Sequence, residues 1–189
     1  MALPANFNQQ LPGLHPLASP YGTAPRIREY DVSATYNATI GEGNCLIKTA
    51  TGVQLATNTV AAGGKLVGVA AHNLAATPGA GAKVLVYDDP NQEYSVVADG
   101  TITSTVIIEN IGKFVTCISN VYNATLGQGK TVADISTATS VRATTGTWYQ
   151  ITGYLQAAGE TRTSTWSQIV VKIPPQIHLF ESSAKTTTT

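Results

Sequence analysis

The sequence predicts an all-β fold: a compact β-sandwich or barrel, jelly-roll-like, with an extended Pro-rich arm before it and a short tail after it. Three observations lead there. Short runs of β-branched and aromatic residues recur at fairly regular spacing, with Gly, Pro, Asn or Asp between them. Charged residues make up only 12% of the 189 positions, about half the usual globular share, and Thr, Ala, Gly and Val fill the gap. The prolines crowd the first 28 residues, where they forbid a long helix or a central strand. The division that follows is residues 1–28 as arm, 29–175 as β-domain and 176–189 as tail.

In the arm, Pro4, Pro12, Pro16, Pro20 and Pro25 alternate with Phe7, Leu11, Leu14, Leu17, Tyr21 and Ile27. A disordered tail is poor in such apolar residues. Ordering an extended chain costs about 1–2 kcal/mol per residue, which contacts must supply. The expectation is therefore an arm outside the core, lying on another subunit.

Arg26 to Val32 alternates charged with apolar residues, a half-buried strand entering the domain. Tyr36 to Ile40 continues with β formers, Gly41 to Asn44 is a turn, and Cys45 to Lys48 is a short strand that Gly52 breaks. Leu66 to Ala70 reads as a buried strand whose Gly68 marks a bulge or a close backbone approach. Val84 to Tyr87 reads as a strand buried on both faces. It ends where Pro90 lacks an N–H and where Asp88, Asp89 and Asn91 can bond to nearby backbone. Tyr94, Val96 and Ala98 then alternate with Ser95, Val97 and Asp99, so the two runs read as a hairpin across a structural turn at Asp88, Asp89 and Pro90.

Further strands are expected over Thr101 to Ile108, Phe114 to Ile118, Val141 to Thr144, Trp148 to Leu155 and Thr165 to Ile173, with Pro174-Pro175 ending the last. Thr131 to Thr137 reads as one or two helical turns with Val132 and Ile135 inward. The tail Gln176 to Phe180 is apolar enough to dock. Tyr36-Asn37-Ala38-Thr39-Ile40-Gly41-Glu42-Gly43 is echoed by Tyr122-Asn123-Ala124-Thr125-Leu126-Gly127-Gln128-Gly129, from a duplicated unit or from two similar strand-to-turn transitions.

Chemistry-bearing patterns are sparse. Eleven basic and eleven acidic residues cancel, which argues against nucleic-acid binding. No run approaches the roughly 18 apolar residues of a membrane span. Residues 1–6 show no basic region followed by an apolar run, so the expected compartment is a cytoplasm. Cys45 and Cys117 are expected as buried, reduced thiols. His15, His72 and His178 have no metal-ligand spacing. Asp88, Asp89 and Glu93 offer oxygen ligands for calcium, but without the alternating acidic loop and central Gly the turn reading is favoured. Gly127-Gln128-Gly129-Lys130-Thr131 lacks the first Gly of a phosphate loop. No nucleophile elbow or placed Cys–His pair is found. The expectation is no catalytic residue, no metal site and no cofactor.

Leu66-Val67-Gly68-Val69-Ala70-Ala71-His72, a Gly-Ala spacer, and then Val84 to Tyr94 resemble small structural proteins of tailed-phage heads. The nearest type is the decoration, or cement, proteins that clamp the capsid exterior. The resemblance spans residues 41–173 in outline and is sharp over 66–100. It implies a non-enzymatic virion protein that binds the major capsid protein, stabilises joints between its subunits and assembles as a homotrimer, with neither nucleic acid nor membrane as partner. On that reading the arm residues Phe7, Leu11, Leu14, Leu17, Tyr21, Arg26 and Arg28 make the capsid or subunit contact. A different class remains open: a carbohydrate-binding β-domain of a phage fibre or adhesin, using Trp148, Tyr149 or Trp166.

Overall fold

The computed structural model describes residues 13–18, 24–56, 65–74, 81–99, 110–125, 127–135, 141–142, 149–155, 168–174 and 178–179. These form twelve strands: β1 (His15–Pro16), β2 (Ile27–Asp31), β3 (Cys45–Lys48), β4 (Val53–Leu55), β5 (Leu66–Ala70), β6 (Lys83–Tyr87), β7 (Glu93–Val97), β8 (Phe114–Asn123), β9 (Gln128–Asp134), β10 (Val141–Arg142), β11 (Tyr149–Leu155) and β12 (Gln168–Lys172). The protein is all-β. Five strands make one antiparallel sheet in the order β2-β6-β5-β3-β4. The other seven make a curled half-barrel in the order β1-β7-β12-β11-β8-β10, with β9 also paired to β8.

One core cluster joins the two sheets. Cys45, Leu66 and Val69 of the smaller sheet meet Tyr94, Val96, Val115, Cys117, Tyr149, Ile169 and Val171 of the larger. A second cluster covers the other face of the smaller sheet, where Leu46, Val67, Ala70, Val84 and Val86 pack with Val32, Ile40 and Val53. β5 is therefore enclosed on both faces, which is why Leu66-Val67-Gly68-Val69-Ala70 carries no polar side chain.

Cys45–Lys48 and Leu66–Ala70 form as the sequence predicts. Gly68 is indeed a place of close approach. A Cβ there would lie 1.9 Å from the Tyr87 carbonyl oxygen of β6, and the pairing with β3 shifts register opposite it. Three expectations change. First, β6 and β7 are not a hairpin. β6 pairs with β2 and β5 in the smaller sheet, β7 with β1 and β12 in the larger, so residues 88–92 carry the chain from one sheet to the other. Second, burial is reversed between them. β6 alternates, with Val84 and Val86 inside and Lys83 and Leu85 outside, while Tyr94 to Val97 of β7 are all buried. Third, residues 131–134 are strand, within β9, rather than helix. β-Branched Thr131 and Val132 suit the pleated ladder to β8, and the Thr131 hydroxyl bonds the Gly43 carbonyl at 3.2 Å.

The first residues described are not outside the core. Leu14 is buried within the cluster that joins the sheets, and β1 pairs with β7. Pro16 is tolerated because β1 is an edge strand. Cutting the chain before Arg26 would remove both a core side chain and a strand. The two echoed segments adopt different structures. The first is irregular up to Ile40, whereas the second closes β8 and opens β9. They touch each other instead: Gly129 N donates to Glu42 O at 2.8 Å, and a Cβ on Gly41 would lie 2.3 Å from Gly129 N. Residues 101–108, expected as a strand, lie outside the described set.

Substituting Gly68 and Gly153 separates close approach from mere strand glycine. Gly68→Ala forces a methyl group onto backbone and should cost about 3 kcal/mol or more in urea unfolding. Gly153→Ala meets nothing nearer than Val170 Cβ at 3.9 Å and should stay within about 1 kcal/mol of the parent.

Candidate functional site

The corner where the chain changes sheets gathers charged and polar side chains from three parts of the sequence. β6 ends at Tyr87, and the next residue, Asp88, points inward with 0% of its side chain exposed. A buried carboxylate is costly unless neutralised and hydrogen-bonded. Arg26 supplies both: its Nε donates to Asp88 Oδ1 at 2.7 Å and its terminal nitrogen to the Asp88 carbonyl at 2.6 Å. Tyr30 donates its hydroxyl to Asp88 Oδ2 at 2.6 Å. Arg28 stands further off, its Nε 3.6 Å from Oδ2. The three partners are consecutive even positions at and just before β2, so the alternation of a strand puts them on one face.

After Asp88 the chain turns through Asp89-Pro90-Asn91-Gln92. Gln92 N donates to Asp89 O at 3.0 Å, with Pro90 at the second position, where its fixed φ fits. Asp89 Oδ1 accepts from Asn91 N at 2.9 Å, the short-range bond such residues offer a turn. Gln92 Nε2 reaches back to the Leu17 carbonyl at 2.7 Å, while Leu17 N donates to Glu93 O at 2.9 Å. Tyr94 donates its hydroxyl to Tyr87 O at 3.0 Å across the corner.

Of the residues expected to contact a partner, Arg26 and Arg28 thus converge on Asp88. Leu17 is tied to the corner by its backbone, and Leu14 is enclosed by this chain's own core. Phe7, Leu11 and Tyr21 lie outside the described residues. Two participants were missed. Tyr30 was legible as the third residue on the Arg26–Arg28 face. His178 was not, because nothing in the sequence brings residue 178 to residue 88.

Electrostatics follow from burial. Burial, with the Asp88 carboxylate adding to it, pushes the Tyr30 phenol well above its usual range, so it stays a donor. Burial lowers His178 from 6.5 to about 4, against the opposing pull of Asp88. In the core, burial pushes the Cys45 thiol up to about 12 and Cys117 well above its ordinary value. Neither cysteine is in a disulfide and both are buried, so neither presents a thiolate. An Asp88 carboxylate whose two oxygens already accept from a guanidinium and a phenol is a fastening between chain segments. Tyr149, considered for a sugar platform, is buried against Cys45 and has no face for a ligand. Trp148 and Trp166 lie outside the described residues.

Among the described residues no group of three or more His, Cys, Asp and Glu is arranged to hold a metal ion, and no helix is long and apolar enough to cross a membrane. No family model, curated protein or solved structure matches the chain.

The fastening makes an unequal pair of arginines. Arg26→Met strands the buried carboxylate and should cost about 3 kcal/mol in chemical unfolding. Arg28→Met removes a more distant partner, 53% exposed, and should cost less than about 1 kcal/mol.

Proposed function

We propose that this chain is a non-enzymatic structural protein of a tailed-phage virion. It binds the outside of the capsid, contacts the major capsid protein and stabilises the joints between its subunits. The observation that carries this reading is the exposed end of the smaller sheet at β2. There, among the described residues, β2 is paired along its length with β6 alone, the chain just past it meeting Val53 of β4 in a bridge, and Ile27 and Leu85 of adjacent strands stand 46% and 40% exposed beside the Lys83–Glu29 ion pair. Apolar side chains interleaved with paired charges on a firmly backed sheet suit a contact between subunits. The scarcity of charge over the whole chain points the same way, since a surface short of charge has little to hold it apart from partners.

The described residues of the stretch that resembles decoration proteins, 66–74 and 81–99, hold β5, β6, the corner and β7. On this reading they form the rigid backing, and the exposed edge and the apolar residues near the N-terminus, Phe7, Leu11, Leu17 and Tyr21, make the grip. A homotrimer would let one assembly hold several capsid subunits and gain avidity without a new kind of contact.

Attachment to undecorated capsids tests the proposal. The double variant I27T/L85T keeps β-forming residues on the strand faces and should unfold within about 0.5 kcal/mol of the parent. It should bind such capsids at least about tenfold more weakly, the equivalent of 1.4 kcal/mol. Binding equal to the parent's removes this edge from the contact. A parent chain that binds no capsid but selects one sugar on a glycan array favours the adhesin class instead.

A further inference from the structure

The last residues described fill a gap in a β ladder. β5 pairs with β6 only at Val69 and Ala70. Below that point β6 has already turned away at Asp88, and Leu66 has His178 beside it in a parallel bridge. Leu179 N donates to the Leu66 carbonyl at 2.9 Å, and His178 N to the Pro174 carbonyl at 3.1 Å. The His178 side chain has 0% exposure, and Leu179 packs on the outer core cluster.

The surroundings suit a neutral imidazole. β5 contributes only apolar side chains. Among the described residues, the charged groups that act on His178 are Asp88 and Asp89 from the corner, which favour a proton on it, and Arg26 from the segment before β2, which opposes one. Asp88 already accepts from Arg26 and Tyr30, and Asp89 from the backbone of Asn91. A proton on His178 would place a second positive charge near Arg26 on a ring with no exposed surface, where burial outweighs the pull of the two carboxylates.

We propose that His178 and Leu179 form an acid-released latch, seated beside Leu66 at neutral pH and expelled when the imidazole takes up a proton. Release would uncover the Leu66 carbonyl and Leu179, opening a ladder position on β5. The sign follows from linkage. The seated imidazole holds its proton less tightly than a free one, with burial moving it from 6.5 to about 4. Seating is therefore at full strength above about pH 6.5 and weakens as the pH falls toward 4. Between pH 7.5 and 4.5 the seating equilibrium should drop roughly 50- to 100-fold.

Amide hydrogen exchange on the full chain, corrected for the intrinsic rate at each pH, reads this directly. Protection of the Leu179 amide should fall by about that factor at pH 4.5, while β7 and β12 keep theirs. His178→Gln, which cannot take up the proton, should hold the same protection at both pH values. Unchanged protection in the parent overturns the proposal, as does an equal loss in the variant. Should the variant not fold, NMR titration of the parent's imidazole decides: a midpoint below about 5.5 supports the latch, and one at or above that value overturns it.

Discussion

A carboxylate with no exposed surface, Asp88, sits where the chain leaves one sheet for the other, and the structure around it is arranged to keep that charge satisfied. Removing a carboxylate from water costs several kcal/mol, so the position is stable only with a cation and a donor held against it. Arg26 and Tyr30 do this from opposite ends of a short segment, which fixes how β2 lies on β6. The inward pull on Asp88 also ends β6. With β6 gone, the ladder beside Leu66 is left for His178 and Leu179, which brings the last described residues to this corner.

A second constraint is steric. The two echoed Gly-rich segments press their backbones together between the sheets, with Gly41 against Gly129 at distances that no side chain tolerates. Asn44, fully buried beside them, accepts from Gly41 N at 2.8 Å and donates to the Val121 carbonyl at 3.2 Å, joining the start of β3 to β8. Leu14 N donates to Gly43 O and Gly13 N to Thr131 O, each at 3.0 Å, so the segment before β1 closes over the same seam. At the corner the Tyr94 hydroxyl bonds the Tyr87 carbonyl, and at the seam Gly129 N bonds the Glu42 carbonyl; these links tie the two sheets, with the apolar core between them.

Local signals in the sequence survive folding well, and signals that depend on distant partners do not. Leu66–Ala70 and Cys45–Lys48 are legible because apolar runs bounded by Gly and Asn leave one assignment. Pro90 announces a turn, but whether the strands on either side pair with each other depends on β2, β5, β1 and β12, which lie far along the chain. Thr131 and Val132 become strand because β8 offers a ladder. Leu14 looks like an arm residue because prolines surround it, yet a single well-placed side chain can enter a core from an extended segment. At the corner, Arg26, Arg28 and Asp88 were each visible as charged residues. Their meeting was not, since 62 positions separate Arg26 from Asp88.

In the proposed role, a protein that resists forces between capsid subunits needs its exposed end strand held firmly, and the Asp88 corner is the polar tie that fastens β2 to the end of β6. A double-mutant cycle between Arg26→Met and Asp88→Asn, read by urea unfolding, tests that tie most directly. The account predicts a coupling of at least about 1.5 kcal/mol, with the double variant more stable than the sum of the single losses allows. A coupling below about 0.5 kcal/mol, the range of independent sites, would contradict it.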